Sequence, residues 1–386
     1  MNHARAWPMA ANYFFFFAFF GVIVPFLSPL LLDLGYSKQQ AGWIISALYL
    51  FNVVMPILGG RLSDRYFSLD RIIRLGGLGM VVFYGLVWVY SDTNSALFLV
   101  FLFTAAIFRG PMVPMLDALA IQVSDGNART FSRLRLMGSI GFAVSVTLLG
   151  YLIDAHSIRV FFPFCFVLCC AFCLSNSTLP KEEKHVSRQQ IKGFWRTLDR
   201  TWWIWLFALC CHWFAFAPYH YGYTLFLAEE GVATHLSGWI WALAVVAETG
   251  FFLASGWFFA RWSYQTILIA AFAANLLRWI LLALFPSPWL LAVAQLLHGP
   301  GFALFYAAAL QGISDYCGGT HRASYQGLFS TAVGGLSAIA GTALAGQLHG
   351  SMPFRDMLLW FVPVQVLGLI IIVFCPLRRP SRQNEN

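Results

Sequence analysis

The chain has 386 residues, of which 59% are hydrophobic and only 10% are charged. Soluble domains carry about 25% charged residues and the mean hydropathy here is +0.70, so the composition excludes a string of soluble domains and indicates one integral membrane protein. The net charge of +8 would also suit a nucleic-acid partner, and only its distribution along the chain separates these readings.

Twelve apolar stretches are long enough to cross a bilayer, which takes about 20 helical residues. The first follows the N-terminus without the short apolar core and cleavage site of a signal peptide, so we expect a retained membrane helix. The sequence therefore predicts an all-α integral membrane protein of twelve transmembrane helices. The predicted spans are residues 10–32, 40–60, 72–90, 96–121, 136–154, 159–178, 202–227, 238–259, 266–285, 288–312, 324–347 and 354–376.

The Lys and Arg residues predict the orientation, because they concentrate in short cytoplasmic loops. With the N-terminus in the cytoplasm, 19 of the 24 Lys and Arg residues fall in cytoplasmic segments and 3 fall outside. Arg109 and Arg278 are the remaining two and lie within predicted spans. Both termini are therefore predicted to be cytoplasmic, in a bacterial inner membrane. This bias explains the basic charge without a nucleic-acid partner.

An internal repeat relates the two halves of the chain at an offset of 196 residues. GWIISALYLFNVVMPILGGRLSDR, from Gly42, matches GWIWALAVVAETGFFLASGWFFAR, from Gly238, and the same offset pairs Gly138 with Gly334. Repeats of six helices related in parallel are a transporter architecture, with the substrate site between the halves near mid-membrane. The predicted division is a first half at 1–178, a cytoplasmic linker at 179–201 and a second half at 202–386.

The motif GGRLSDR, residues 59–65, is predicted to lie in the loop between the second and third spans. Gly60 would permit a close backbone approach, and Asp64 would pair with arginines or a helix N-terminus on the cytoplasmic side. We therefore predict that Gly60, Asp64 and Arg65 form a cytoplasmic gate; a plain polar turn is the alternative. The motif resembles the loop 2–3 signature of the major facilitator superfamily, which the twelve spans, two halves and basic central loop resemble along the whole chain.

Ionisable side chains within the spans are few, and such groups are costly in a bilayer unless paired or hydrated, so each is a candidate for function. Pro111 and Pro114 are expected to break or bend the fourth span beside its carboxylate. Burial favours the neutral form of a carboxyl group and a neighbouring arginine favours the ionised form, so a proton or a substrate would switch such a site. The candidates are Arg109, Asp117, Arg135, His212, His220, Glu248, Arg278 and His298.

Several of these residues also have a purely structural reading. Arg135 would anchor at lipid headgroups, Arg109 would neutralise Asp117, and His212 and His220 would be core histidines. Glu248 has the weakest structural reading, because no basic residue lies within its own helix.

Asp117 and Arg135, 18 residues apart, resemble the acid–arginine pair of the lactose permease group. Glu248, Arg278 and His298 resemble its helix-8 glutamate, helix-9 arginine and helix-10 histidine, and the stretches PMVPMLDALA and RLMGS look closer to the phenylpropionate permease branch. The resemblance departs at Gly301, where that group has a proton-carrying glutamate. It implies substrate binding by Asp117, Arg135 and Glu248, to which we add Arg109, and proton coupling by Glu248, Arg278, His298 and Asp117.

Aromatic residues make up 17% of the chain. We expect FFFFAFF at 14–20, and Trp202, Trp203 and Trp205, mostly to contact lipid and the membrane interface. Other aromatics, among them Tyr13 and Tyr219, would line a cavity. An aromatic pocket with an arginine suits an aromatic carboxylate, and with a carboxylate it suits a sugar or nucleoside equally well.

The sequence as a whole predicts a monomeric, proton-coupled importer of a small organic solute, with an aromatic carboxylate such as phenylpropionate as the first choice. A proton-antiport exporter of drugs or metabolites, or a sugar or nucleoside symporter, is the alternative. A membrane enzyme or a receptor fits the twofold repeat and the intramembrane carboxylates less well. No cofactor is expected. The eight cysteines favour buried thiols over a metal site, because no His or carboxylate lies within the cluster at 165–173.

Overall fold

A computed structural model describes residues 3–124, 127–180, 194–285, 287–317 and 321–377, and all regular structure in these ranges is helical. Within these described ranges, twelve helices are long and apolar enough to span a membrane, which confirms every predicted span to within a few residues. In chain order they are α1 Trp7–Asp33, α2 Lys38–Arg65, α3 Leu69–Tyr90, α4 Ser95–Val123, α5 Thr130–Ala155, α6 Ile158–Asn176, α7 Arg200–Glu229, α8 Thr234–Phe259, α9 Tyr264–Leu284, α10 Pro288–Cys317, α11 Ser324–His349 and α12 Phe354–Phe374.

The predicted break in α4 is present. Regular helix runs over Ser95–Arg109, stops at Gly110 and Pro111, and resumes over Met112–Val123. Pro111 has no backbone N–H to continue the hydrogen-bond ladder. A Cβ atom at Gly110 would lie 2.7 Å from the carbonyl oxygen of Phe51, so α4 is in close contact with α2 at the break.

Two helices of the second half contain π-helical turns. In α10, a 3₁₀ turn at Ala294–Leu297 precedes a π turn at Pro300–Leu304, and α11 contains a π stretch over Ser330–Ser337. A π turn leaves a carbonyl without its usual helical partner and is frequent at functional sites. The one in α10 follows directly after His298.

The helices form two compact units: Met1–Arg188 with Gly222–Val245 (unit 1), and Gln189–Tyr221 with Val246–Asn386 (unit 2). One boundary between them falls where α7 leaves helical geometry, at Gly222. The division into functional halves at 178 and 202 stays a prediction. Most of the predicted linker, residues 181–193, lies outside the described residues, as does the basic segment after 377.

In unit 1, α1 packs against α5 and α6, and α3 packs against α4 and α6. Small residues bring α1 and α5 together: a Cβ at Gly21 would lie 2.3 Å from Ser145 Oγ, and one at Gly141 would lie 2.1 Å from the Phe14 carbonyl oxygen. The Ser145 hydroxyl donates to the Ala18 carbonyl across this contact. Helix approach of this kind, through small residues, is typical of membrane bundles.

Unit 2 repeats that contact at the predicted offset. Gly341 of α11 approaches α7, where a Cβ would lie 2.5 Å from Ala217 Cβ and 2.8 Å from the Phe214 carbonyl oxygen. Subtracting 196 from Ala217 and Gly341 gives Gly21 and Ser145, the pair that joins α1 and α5. The internal repeat is therefore a repeat of helix packing as well as of sequence. In addition, α9 packs against α10 and α12.

Residues 222–245 join unit 1 through polar and close-packed contacts. Asp154, near the end of α5, accepts hydrogen bonds from the backbone N–H groups of Thr234 (3.2 Å) and His235 (3.0 Å) and contacts His235 Nδ1 at 2.6 Å. The carboxylate thereby caps the N-terminus of α8, where the backbone N–H groups have no helical acceptor. Nearby, a Cβ at Gly238 would lie 2.7 Å from the Val146 carbonyl oxygen.

The expectation that the tryptophans at 202–205 and the phenylalanine run at 14–20 mostly face lipid is wrong for several members. Trp202 and Trp205 are fully buried in the core of unit 2, and only Trp203 of the three is exposed. Phe16 and Phe19 are fully buried as well. An aromatic run satisfies the bilayer and the core equally, so composition does not reveal which face of the helix packs inward.

We predict that Gly141→Ala lowers the free energy of unfolding by about 1–3 kcal/mol, the usual cost of overpacking a core. The added methyl group would overlap the Phe14 backbone, which cannot move without shifting α1. Thermal unfolding of the purified protein in detergent measures the effect. Gly334→Ala is the matched control, because a Cβ there meets no described atom within 4 Å; equal destabilisation of both variants would contradict the packing argument.

Candidate functional site

The first polar group lies in unit 1 and joins α1, α4 and α5. Tyr13 donates a hydrogen bond of 2.6 Å from its hydroxyl to Asp117 Oδ1, and Arg135 Nε lies 4.0 Å from the same oxygen. The Arg135 guanidinium also stacks 4.0 Å from the centre of the Phe17 ring. The structure therefore brings together Asp117 and Arg135, the two residues that resemble the acid–arginine pair of the lactose permease group, and adds Tyr13. Both charged side chains keep about a third of their surface exposed.

Arg109 is in the same unit but not in the same group. It is 5% exposed, and its Nη2 donates to Asn52 Oδ1 on α2 at 3.3 Å. Its guanidinium lies 5.6 Å from the centre of the Phe20 ring. The structural reading in which Arg109 neutralises Asp117 is wrong, because Asp117 pairs with Arg135.

The second polar group is a chain of side chains in unit 2. Arg278 Nη2 donates to Gln295 Oε1 at 2.8 Å, and Arg278 Nη1 lies 3.5 Å from His298 Nδ1. On the other side of the ring, His298 Nε2 lies 3.6 Å from Glu248 Oε2. Three helices, α8, α9 and α10, thus bring the predicted residues Glu248, Arg278 and His298 into one line.

Hydrogen-bond chemistry determines the form of His298 in this line. A guanidinium has only donors, so His298 Nδ1 must act as the acceptor towards Arg278. The ring proton is then on Nε2, directed at the carboxylate of Glu248. His298 is 4% exposed, whereas a quarter of the Glu248 side chain is accessible, so the carboxylate is the accessible end of the line.

Aromatic rings enclose the arginine of this chain. The Arg278 guanidinium lies 4.4 Å from the ring centre of Tyr219, 4.6 Å from that of Trp279 and 5.6 Å from that of Phe216. Arg278 itself is fully buried. Ring faces attract cations, so the rings and Gln295 hold the charge in an interior that would otherwise exclude it.

His212 belongs to a separate, structural network. Its Nε2 lies 2.9 Å from the carbonyl oxygen of Gly301, in the π turn of α10, and its Nδ1 lies 3.0 Å from Gln365 Nε2. Gln365 also donates to the Phe272 carbonyl at 2.8 Å. Since both Gln365 contacts need its amide hydrogens, the histidine proton is on Nε2 and satisfies the carbonyl that the π turn releases. Of the two alternatives for His212, this is the core histidine.

The GGRLSDR motif is helical and not a loop, contrary to the prediction. Helix α2 continues through Arg65, and only Tyr66, Phe67 and Ser68 separate it from α3. The close approach is made by Gly59, whose Cβ would lie 2.7 Å from Pro111 Cβ, while a Cβ at Gly60 meets no described atom within 4 Å.

The gate residues remain exposed at this end of α2. Asp64 and Arg65 are both exposed, and their role as a gate stays a prediction. The nearest buried carboxylate after the motif is Asp70, which pairs with Arg74 at 3.5 Å. Arg74 in turn donates to the carbonyls of Asn176, the last residue of α6, and Leu179, three residues further on.

Sequence reasoning missed Gln295 and Asn52, which hold the two buried arginines. Both are neutral, and a search for charged residues in the spans passes over them. Gln295 had a signal: it lies three residues before His298 on the same helix, a spacing that places side chains on one face. Within the described ranges no group of three His, Cys, Asp or Glu residues could hold a metal ion.

The twelve candidate membrane helices of the described residues, together with a family model and relatives that are named as transporters, indicate a membrane transporter and not an enzyme. The family model described as MFS_1 like family matches residues 6–358, and the chain belongs to this family of the major facilitator superfamily. The matched range contains every candidate residue described above.

The chain is also similar to two transporters of known sequence and to one solved structure. It is 28% identical to the probable 3-phenylpropionic acid transporter of Escherichia coli (strain K12), over 95% of this chain and 98% of the relative. It is 23% identical to the maltose permease of Geobacillus stearothermophilus, over the full length of both chains. A crystal structure of a mutant of nucleoside transporter NupG is similar in fold, with a TM-score of 0.83 and 18% identity over 95% of this chain and 98% of that one.

We predict that His212→Phe destabilises the protein, although the repeat has Phe16 at the corresponding position. The variant loses the donor to Gly301 and the acceptor for Gln365, and a buried polar group without a partner costs about 1–3 kcal/mol. Thermal unfolding in detergent measures the loss. His156→Phe, at an exposed position after α5, is the control, and an unchanged melting temperature for His212→Phe would contradict the assigned network.

Proposed function

We propose that the protein is a monomeric, proton-coupled secondary transporter that imports a small organic solute by alternating access. The observation that carries this proposal is the line from Gln295 through Arg278 and His298 to Glu248. It links a partly exposed carboxylate to a buried cation through a titratable ring. Cytoplasmic termini are inferred from the Lys and Arg distribution, and a bacterial inner membrane is inferred from the resemblance to bacterial permeases; both belong to the proposal.

Glu248 is the residue to which we assign the transported proton. A second proton on His298 would place an N–H donor against the guanidinium of Arg278, which offers only donors. Protonation of the Glu248 carboxylate places no donor against Arg278. It changes the contact with His298 from one between an ion and a neutral ring into one between two neutral groups. Loss of that charge would loosen the line and free Arg278 and His298 to rearrange.

Asp117, Arg135 and Tyr13 are assigned to the solute in the first half. Asp117 is accessible and accepts hydrogen bonds, and Arg135 and Phe17 offer a cation and a ring face beside it. The exposed end of α2, with Gly60, Asp64 and Arg65, would serve as the cytoplasmic gate. The relative named as a probable 3-phenylpropionic acid transporter supports an aromatic carboxylate as the solute.

A sugar or a nucleoside is the second candidate solute. The maltose permease among the relatives and the fold of the nucleoside transporter favour it, and so does Asp117, because neutral polyols donate hydrogen bonds to carboxylates. A proton-antiport exporter remains the alternative direction of transport, with the same residues in the same roles.

The test uses proteoliposomes that contain a pH-sensitive dye, with 3-phenylpropionate, maltose or a nucleoside added outside. We expect one solute class to acidify the interior and Glu248→Gln to lower that signal about tenfold or more, because an amide cannot carry the proton. Exchange of labelled solute between equal pools should persist in this variant, since Gln mimics the protonated acid. Asp356→Asn, at an exposed carboxylate of α12, is the matched control.

Weak acids also cross lipid unaided, so only the part of the signal that Glu248→Gln or Asp117→Asn removes is counted. Acidification that both variants leave intact would overturn the assignment of the proton. The absence of any variant-sensitive signal with all solutes would refute symport of these solutes and favour export or another coupling ion.

A further inference from the structure

Arg109 is a buried cation near the break of a membrane helix. It ends the first segment of α4, one residue before Gly110, and only 5% of it is exposed. Placing a guanidinium inside a membrane protein is costly, and such groups are nearly always paired or functional. A group that balances the positive charge of Arg109 is therefore expected nearby.

The groups around Arg109 are neutral. Nη2 contacts the amide oxygen of Asn52 at 3.3 Å, the Phe20 ring faces the guanidinium, and the buried Nε has no hydrogen-bond acceptor among the described residues. No Asp or Glu in the described ranges forms an ion pair with it. An amide oxygen and a ring face supply partial charges only, so the positive charge is held in place and left uncompensated.

The other two arginines of the candidate sites differ on this point. Arg135 has the carboxylate of Asp117 at 4.0 Å. Arg278 belongs to the line that ends at Glu248. Arg109 alone of the three has no carboxylate associated with it in the part of the chain that the structure describes.

The internal repeat shows that the two halves surround their buried arginines differently. Asn52, its partner, corresponds to Glu248 at the 196-residue offset, and Phe20 corresponds to Phe216, which faces Arg278 at the same 5.6 Å. Both halves thus place an arginine over the equivalent phenylalanine, but only the second half provides an acid at the equivalent position. Asn52 and Phe20 are each partly exposed, so a ligand can approach the guanidinium beside them.

We propose that Arg109 binds the carboxylate of the transported solute, with Asn52 orienting the guanidinium and Phe20 contacting the apolar body of the solute. This rests on the proposed function and narrows it: the solute is an organic anion and not a neutral sugar or nucleoside. A guanidinium offers several donors in one plane and matches the two oxygens of a carboxylate. The anion supplies the charge that the protein itself does not place beside Arg109.

The test compares 3-phenylpropionate with 3-phenylpropanamide, its neutral isostere, by calorimetric binding to the purified full-length protein in detergent. We expect the acid to bind at least about tenfold more tightly than the amide, because hydrogen bonds to charged groups are the stronger ones. Asn52→Asp should abolish this preference, since the new carboxylate would occupy Arg109 from within, and should raise the melting temperature by pairing the buried charge. Arg109→Gln should also abolish the preference, and Arg109→Lys should retain part of it.

The same measurement distinguishes this proposal from proton coupling, because no gradient is present in detergent. The preference for the acid is measured whether or not the protein couples transport to protons, and Asp356→Asn, at an exposed carboxylate of α12, should keep it. Equal binding of acid and amide to the wild-type protein, or an intact preference in Asn52→Asp, would overturn the role of Arg109. So would a preference that disappears in Arg278→Gln and survives in Asn52→Asp, since the anion would then bind in unit 2.

Discussion

A polar group inside an apolar bilayer has no water to satisfy it and depends on other groups of the protein or on a ligand. Unit 2 meets this constraint with side chains alone. Gln295 accepts a hydrogen bond from Nη2 of Arg278, and His298 Nδ1 lies beside Nη1 of the same guanidinium. Glu248 contacts Nε2, the other nitrogen of the His298 ring. The two Nη groups of Arg278 both have an acceptor in the line, so a change in the protonation of Glu248 alters the contacts of its neighbours. That dependence is what makes the line suitable for coupling.

Unit 1 meets the same constraint differently. Its exposed acid, Asp117, is paired with Arg135 and Tyr13, while its buried arginine has an amide and a ring. The two halves share their packing, since Gly21 and Ser145 of one correspond to Ala217 and Gly341 of the other. They do not share their chemistry. A duplicated scaffold with unequal charges can assign the solute to one half and the proton to the other.

Hydropathy and the proline positions predicted the twelve spans and the break at Pro111, and the family resemblance singled out Asp117 and Arg135 as a pair. These are properties of one helix, or of a pair resembling a known one. The buried positions of Trp202 and Trp205, and the approach of Gly59 where Gly60 was expected, depend on the rotation of a helix about its axis. A helix that is apolar on all faces carries little signal for that rotation, because lipid and protein core select the same side chains.

Neutral partners were hidden for a related reason. Asn52 and Gln295 cost less to bury than a charged residue, so their presence in a span does not by itself indicate a functional site. Their role becomes evident only when the structure places an arginine beside each of them. The polar composition of the motif at the end of α2 favours a loop. A helix can nevertheless continue past the apolar region with polar residues, and α2 does so through Arg65.

The π turn in α10 changes the direction in which the side chains after it point around the helix axis. Each hydrogen-bonded ring of a π turn encloses one residue more than that of an α-helix, and one residue corresponds to a rotation of about 100°. Phe302, four residues after His298, stacks parallel to its ring at 5.6 Å, while a Cβ at Gly301 would point towards Asn275 and Phe216. The position three residues after His298, where an alignment places the glutamate of the lactose permease group, therefore faces the interior between α7 and α9 and not Glu248. A glutamate at position 301 would be buried between α7 and α9 and would not extend the line that runs from Arg278 through His298 to Glu248. The difference from the lactose permease group at Gly301 therefore concerns the backbone geometry as well as the absence of an acid.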